Sequence, residues 1–146
     1  MNRFVVDASV ALCWCFEDQK TPYTEAVFEC LAEGEQALVP AVWPLEVINA
    51  LLVAERRKMI NSAQFETFVA DLKDLPVEVD SLGIARIYSP VLRVARRCQL
   101  TSYDAAYLEL ALFEGLQLAT LDRNLRAAAK RSGVELFRPG RRTTAH

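Results

Sequence analysis

Short apolar runs alternate along the chain with longer segments in which apolar residues recur at helical spacing. The short runs predict buried β-strands, at residues 3–6, 37–39, 77–79, 116–121 and 134–137. The longer segments predict helices, at residues 10–15, 23–33, 44–58, 62–75, 90–98, 102–114 and 123–132. Because strands and helices alternate throughout, we expect an α/β fold with a short, mostly parallel sheet flanked by helices.

Glycine, proline and hydroxyl residues set the predicted helix boundaries. Gly34, Gly115 and Gly133 each lie between a helix and the next strand, where a C-terminal cap is needed. Pro44 suits a first helical turn, Ser62 is expected to cap the helix at 62–75, and Thr101 or Ser102 the helix that follows. Residues 80–89 have the least regular pattern and predict at most one helical turn.

Length and composition indicate one globular domain. The chain has 146 residues, of which 52% are hydrophobic and 25% charged, as in ordinary soluble domains. We expect a single domain over residues 1–138 and a flexible tail over 139–146. No segment resembles a signal peptide or a membrane span, so a cytoplasmic location is expected.

The residue types available for chemistry narrow the candidate functions. The only histidine is His146, and the cysteines at positions 13, 15, 30 and 98 form no CxxC pair. A zinc site or a histidine-assisted nucleophile is therefore not expected, and the cysteines are expected to be small apolar core residues. Carboxylates are therefore the side-chain groups that remain as candidates for taking part in a reaction.

Four acids lie at junctions between strands and helices. Asp7 and Asp122 follow predicted strands, whereas Glu46 and Asp104 are expected in first helical turns. In an open parallel sheet these positions face the same edge, where ligands bind. Each acid alone could be an ordinary helix cap. Together they would repel one another and raise each other's pKa, which a divalent cation would relieve.

An all-oxygen ligand set favours Mg²⁺ or Mn²⁺, which commonly act on phosphate esters. The chain has no glycine-rich GxxxxGK phosphate loop, so a nucleoside triphosphatase is not expected. None of the lysines follows a late strand as a receiver-type phosphoacceptor domain would require. The composition therefore favours metal-dependent phosphoryl chemistry.

Charge is unevenly distributed along the chain. Residues 1–55 hold 2 basic and 9 acidic side chains, a net −7, whereas residues 56–146 hold 15 basic and 10 acidic ones, a net +5. The basic clusters at 56–58, at 93–97 and at 138–142 could bind phosphates around an acidic centre. Equally, they could be solvated helix ends favoured by the helix dipole.

Four segments together resemble PIN-domain ribonucleases, and specifically the VapC-like toxins of toxin-antitoxin pairs. They are VVDASVALCW, PLEVINALL, LTSYDAAYLELAL and LATLDRNLRAAAKRSGV, in the family's order, and the resemblance covers about residues 3 to 137. The resemblance implies a PIN-like three-layer sandwich and makes Asp7, Glu46, Asp104 and Asp122 the metal-binding and catalytic acids. It also implies supporting roles for Ser9, Asn49 and Thr120.

The activity implied by the resemblance is endonucleolytic cleavage of RNA with Mg²⁺ or Mn²⁺, in which metal-activated water hydrolyses a phosphodiester. The resemblance further implies a homodimer that a small antitoxin protein silences. The alternative is a PIN-fold module without catalysis that acts by binding protein or RNA. We also predict that the helices at 44–58 and 62–75 form a hairpin whose apolar groove, with Leu52, Phe65 and Phe68, receives an antitoxin segment.

Overall fold

The protein is an α/β domain built on four parallel strands, in a computed structural model that describes residues 2–140. The strands are β1 (Arg3–Val6), β2 (Gln36–Pro40), β3 (Val77–Asp80) and β4 (Gln117–Ala119). Their order in the sheet is β3-β2-β1-β4, and each neighbouring pair is parallel. The α/β architecture expected from the alternating pattern is thus confirmed.

Helices connect and flank the strands. The α-helices are α1 (Ala8–Cys15), α2 (Pro22–Ala32), α3 (Val42–Arg56), α4 (Ser62–Asp74), α5 (Ile84–Arg86), α6 (Leu92–Cys98), α7 (Ser102–Glu114) and α8 (Arg123–Arg131). Among the described residues, no helix has the length and apolar character needed to cross a bilayer. All four cysteines are buried, as expected for core residues.

Among the described residues, the N-termini of four helices are capped by the side chain of the preceding residue, and one of these is α8, which Asp122 caps. Thr21 caps α2, and Asn61 caps α4 through a reciprocal pair of bonds with Gln64. The expected cap Ser62 is therefore wrong, because Ser62 is already the first residue of α4. Of the two candidates for α7, Thr101 is the cap, since its hydroxyl oxygen accepts from the Asp104 amide.

The segment between β3 and α7 is more helical than its sequence pattern indicates. A π-helical turn over Ile87–Val91 joins α5 to α6, whereas we expected one helical turn at most and a helix start near residue 90. Pro90 lies inside this turn and has no amide hydrogen to donate. The wider π-helical turn accommodates a residue that cannot donate a backbone hydrogen bond, so the helical path continues past Pro90.

The buried face of α3 differs from the expected one. The helix begins at Val42 and buries Trp43, Val47, Leu51 and Ala54. The helical spacing predicts an apolar stripe of Leu45, Ile48, Leu51 and Leu52, but Leu45 is 71% exposed. The earlier start also moves Glu46 from the first helical turn into the second. On α4 the expected face does pack on the core, but none of its side chains is fully buried.

The last predicted strand is reduced to a single bridge. Leu136 pairs with Leu118 in parallel fashion, and the Phe137 amide donates to the Leu118 carbonyl at 2.9 Å. Strand β4 itself covers three residues rather than the expected six, which leaves a short edge for pairing. The expected tail lies mostly on residues 141–146, outside the described residues.

A buried ion-pair network links the sheet to α7. The Arg86 guanidinium donates to Asp80 at 2.9 Å and to Glu109 at 2.7 Å, and it lies 4.2 Å from the centre of the Phe113 ring. The Glu109 side chain is only 5% exposed, so removal of Arg86 would leave a buried charge unpaired.

We predict that Arg86→Ala lowers the free energy of unfolding by about 3 kcal/mol, because Glu109 and Asp80 lose their counter-charge together. Urea denaturation would measure this change. Arg93→Ala is the matched control, since Arg93 is exposed and bonds only the Ser89 hydroxyl. Equal effects of the two substitutions would show that the network contributes no net stability.

Candidate functional site

The centre of the candidate site lies where the adjacent strands β1 and β4 end. Asp7 follows β1, and its backbone amide donates to the Ala119 carbonyl at 2.9 Å, so the two chain segments leave the sheet side by side. The Asp7 side chain is 5% exposed. Its Oδ2 atom accepts hydrogen bonds from the Ser9 and Thr120 hydroxyls, each at 2.7 Å.

Backbone amides orient these two hydroxyls toward Asp7. Thr120 Oγ1 accepts from the Asp122 amide at 3.0 Å, and Ser9 Oγ accepts from the Leu121 amide at 3.1 Å. A hydroxyl that accepts from an amide keeps its own hydrogen for another acceptor. Both hydroxyls therefore donate to Asp7, and the supporting positions predicted for Ser9 and Thr120 lie in contact with the acid.

Glu46 reaches the same region from α3. Its Oε1 atom accepts a hydrogen bond from the hydroxyl of Tyr107, a fully buried residue of α7. Asn49, the third expected supporting residue, is exposed and makes no side-chain hydrogen bond within residues 2–140. The sequence analysis missed Tyr107, although its spacing of three residues from Asp104 on one helix was a visible signal.

Asp104 and Asp122 complete the group from the starts of α7 and α8. Asp122 is the cap of α8, with Oδ1 accepting from the Leu125 amide at 2.8 Å. Asp7 occupies the cap position of α1 but makes no capping bond. Asp104 lies in the first turn of α7, as predicted, and the cap of that helix is Thr101. The capping explanation thus accounts for Asp122 alone.

Burial and mutual repulsion act in the same direction on these acids. The pKa of Asp7 is raised, chiefly by burial, against the lowering effect of the Thr120 and Ser9 hydrogen bonds. Burial also raises the pKa of Glu46 and of Asp104, and the charge of Asp7 raises both further. Asp122 adds to the repulsion felt by Asp7 and Asp104. The four acids therefore form one electrostatically coupled cluster.

The cluster has no basic counterpart. Within residues 2–140, none of the four acids takes part in an ion pair. The basic residues at 56–58 and at 93–97 are exposed, as both interpretations of them require, and Arg141 and Arg142 lie outside the described residues. Uncompensated carboxylates of this kind are suited to a cation from solution.

The oxygen donors fit a hard divalent cation. Asp7 is engaged by the Ser9 and Thr120 hydroxyls and by the backbone of Ala8. Glu46 and Asp122 each have one carboxylate oxygen engaged by a donor of the protein, and their second oxygens make no hydrogen bond to the described part of the chain. No three potential ligands among the described residues are close enough together to enclose an ion. This spacing is compatible with Mg²⁺, which keeps several water ligands and commonly binds one or two carboxylates together with substrate phosphate.

The comparisons with known proteins agree with this architecture. The family model of the PIN domain matches residues 4–131, so the chain belongs to the PIN-domain family. No curated protein sequence is significantly similar to the chain.

Solved structures share the fold at low sequence identity. PAE2754 from Pyrobaculum aerophilum has a TM-score of 0.66 and 24% identity, over 87% of this chain and 86% of that one. VapBC2 from Rickettsia felis, in a structure with a DNA fragment from the VapBC2 promoter, has a TM-score of 0.62 and 12% identity, over 92% of this chain and 97% of that one. FitAcB from Neisseria gonorrhoeae has a TM-score of 0.59 and 17% identity, over 93% of this chain and 97% of that one. These neighbours show that the chain shares their fold over most of its length.

We predict that Asp7→Asn makes the metal-free protein more stable at neutral pH. Because the folded state raises the pKa of Asp7, ionisation of this side chain is costlier in the fold than in the unfolded chain. The advantage of Asn should stay constant at pH values above the raised pKa. It should shrink as the pH falls through the raised pKa toward the ordinary pKa of an aspartate, since Asp7 is then protonated in the fold. Urea unfolding in the presence of EDTA, at a series of pH values, would measure it.

Asp18→Asn provides the control for this comparison, because Asp18 is exposed in the turn Glu17–Gln19. It should leave the pH dependence of stability unchanged. A loss of stability in Asp7→Asn at neutral pH would contradict the prediction, and would mean that the Ser9 and Thr120 hydrogen bonds outweigh the cost of burying the charge.

Proposed function

We propose that the protein is a metal-dependent endoribonuclease and the toxin of a toxin-antitoxin pair. The observation that carries the proposal is the cluster of Asp7, Glu46, Asp104 and Asp122. Repulsion within the cluster raises the pKa of Asp7, Glu46 and Asp104, and the four acids are partly or fully buried and form no ion pair with any described residue. Membership of the PIN-domain family supports a nuclease. The names VapBC2 and FitAcB among the structural neighbours support the toxin class.

Asp7, Glu46, Asp104 and Asp122 would hold Mg²⁺ or Mn²⁺, some of them directly and the others through water molecules that the ion keeps. When bound, such an ion neutralises charge on a phosphodiester and makes a water molecule more acidic. The protein's own groups keep the carboxylates in place: Ser9 and Thr120 hold Asp7, and the α8 amides hold Asp122. Asp7 and Asp104 are proposed as the most direct ligands.

RNA is the proposed substrate, with the exposed basic residues at 56–58 and 93–97 contacting its phosphates. Single-stranded loops are the expected targets, since protein side chains read exposed bases there. We further propose that the protein works in the cytoplasm as a homodimer. A PIN-fold module that only binds RNA or protein is the alternative, and the cleavage assay below separates the two.

We predict that Asp7→Asn abolishes RNA cleavage, by at least about 100-fold, because the variant loses one negative ligand of the cation. Cleavage of a mixed single-stranded RNA in Mn²⁺ would be followed by gel electrophoresis. EDTA should stop cleavage by the parent protein, and added Mn²⁺ should restore it.

Asp18→Asn should cleave at the parental rate, since this exposed acid lies outside the cluster. Both variants should remain folded in thermal melting. If Asp7→Asn cuts RNA as fast as the parent, the proposed role of the carboxylate cluster is wrong. If the parent binds RNA but never cuts it under any metal, the binding-module alternative is favoured.

The proposed partner is a small antitoxin protein, and the apolar surface beside α4 is its proposed docking site. Leu52 is 38% exposed, and Phe65 and Phe68 are half-buried rather than enclosed in the core. A cavity of about 480 Å³ lies between α1, α2 and α4, and Phe28 and Phe68 line it. Asp71, Asp74 and Lys20 also line this cavity, which leaves one negative charge in excess, so an amphipathic segment with a basic residue would suit it. A basic partner side chain near the acids would also compete with the cation.

We predict that Phe68→Glu weakens partner binding by at least about tenfold while RNA cleavage persists, because a buried charge in the interface is costly. The probe is the product of a short reading frame beside the gene, co-expressed and titrated by calorimetry. Thr67→Glu adds the same charge on the exposed neighbouring face and should bind normally. Equal affinity of all three proteins would contradict the docking site.

A further inference from the structure

The hydroxyl of the fully buried Tyr107 interacts with the Glu46 side chain and with the backbone of Ala8. Tyr107 is the largest of the fully buried side chains, at 0% exposure, and it lies in the middle of α7. A buried tyrosine hydroxyl needs a hydrogen-bond partner, because an unpaired one would lose its solvation without compensation. The side-chain partner of this hydroxyl is Glu46 Oε1.

Glu46 depends on this bond more than the other acids depend on theirs. Asp7 is held by two hydroxyls, and Asp122 is held by an amide of its own helix. Glu46 has a longer side chain with one more rotatable bond, and Tyr107 is its only hydrogen-bond donor within residues 2–140. Without the Tyr107 hydroxyl, the Glu46 carboxylate would sample several rotamers.

The bond also connects two acids that come from different helices. Tyr107 and Asp104 lie three residues apart on α7, so they share one face of that helix. Glu46 lies on α3. The position of the Glu46 carboxylate relative to Asp104 is therefore set by the rigid frame of α7 through the Tyr107 hydroxyl.

We infer that Tyr107 is a positioning residue of the candidate metal site, whose hydroxyl fixes Glu46 by one oxygen and leaves Oε2 for the cation. The inference rests on the proposed metal-binding role of Glu46. The Tyr107 hydroxyl thereby has a role of its own, separate from the packing of the Tyr107 ring in the core. Outer hydrogen bonds of this kind typically change metal affinity by about 10- to 100-fold.

The test is Tyr107→Phe, which removes the hydroxyl and keeps the ring that fills the core. Calorimetric titration of the RNA-free protein with Mn²⁺ should show a dissociation constant raised by about 10-fold. Tyr103→Phe on the same helix is the matched control, because Tyr103 is 60% exposed and lies outside the cluster, and its Mn²⁺ affinity should equal that of the parent. Thermal melting would establish that both variants are folded.

Glu46→Ala completes a double-mutant cycle. If Tyr107 acts through Glu46, Tyr107→Phe should no longer change the Mn²⁺ affinity once Glu46 is absent. A parental affinity in Tyr107→Phe, or an equal loss in the presence and absence of Glu46, would overturn the inference while leaving the proposed function intact. A parent protein that binds no Mn²⁺ would overturn the proposed metal role together with the inference.

Discussion

The rest of the structure depends on the burial of like charges at one edge of the sheet. Parallel strands end together, and β1 and β4 are neighbours, so the residues that follow them are brought close whatever their charge. Here those residues are Asp7 and Asp122, and the helices α3 and α7 add Glu46 and Asp104 beside them. Burial raises the pKa of Asp7, Glu46 and Asp104, which means that the metal-free fold is stable in spite of these ionised groups. A buried cluster of like charges lowers the stability of the fold, and a protein tolerates this cost where the charges are needed for binding.

Hydrogen-bond donors reduce this cost without removing it. Two hydroxyls on Asp7 and one on Glu46 lower the pKa of each carboxyl, but burial outweighs them in both cases. Positively charged partners would have neutralised these acids and made them part of a structural network. Arg86 does this for Asp80 and for Glu109, which lies on α7, the helix that also carries Asp104. The contrast between the two acidic groups distinguishes a carboxylate that holds the fold together from one that is available to a ligand.

Much of this arrangement was predictable from the sequence, because it depends on local patterns. The ends of β1, the glycine stop of α7 and the positions of Asp7, Asp104 and Asp122 follow from short apolar runs and capping residues. Where the pattern failed, tertiary packing decided. The buried face of α3 follows its contacts with α1 rather than the run of leucines, which leaves Leu45 in solvent. Tyr107 and Arg86 look like an ordinary core residue and an ordinary surface residue in the sequence. Their roles depend on partners that are 61 and 23 residues away.

Helix α7 explains how a coupled cluster of acids can be held in a fixed arrangement. Seven consecutive residues, Ala105 to Ala111, are buried, so the helix is enclosed on every side rather than along one stripe. Tyr107 ties it to α3, and Glu109 ties it through Arg86 to the end of β3. A helix enclosed in this way cannot shift without opening the core. The repulsion between Asp104 and its neighbours therefore acts on a rigid frame, and it is expressed as raised pKa values instead of as a displacement of the helix.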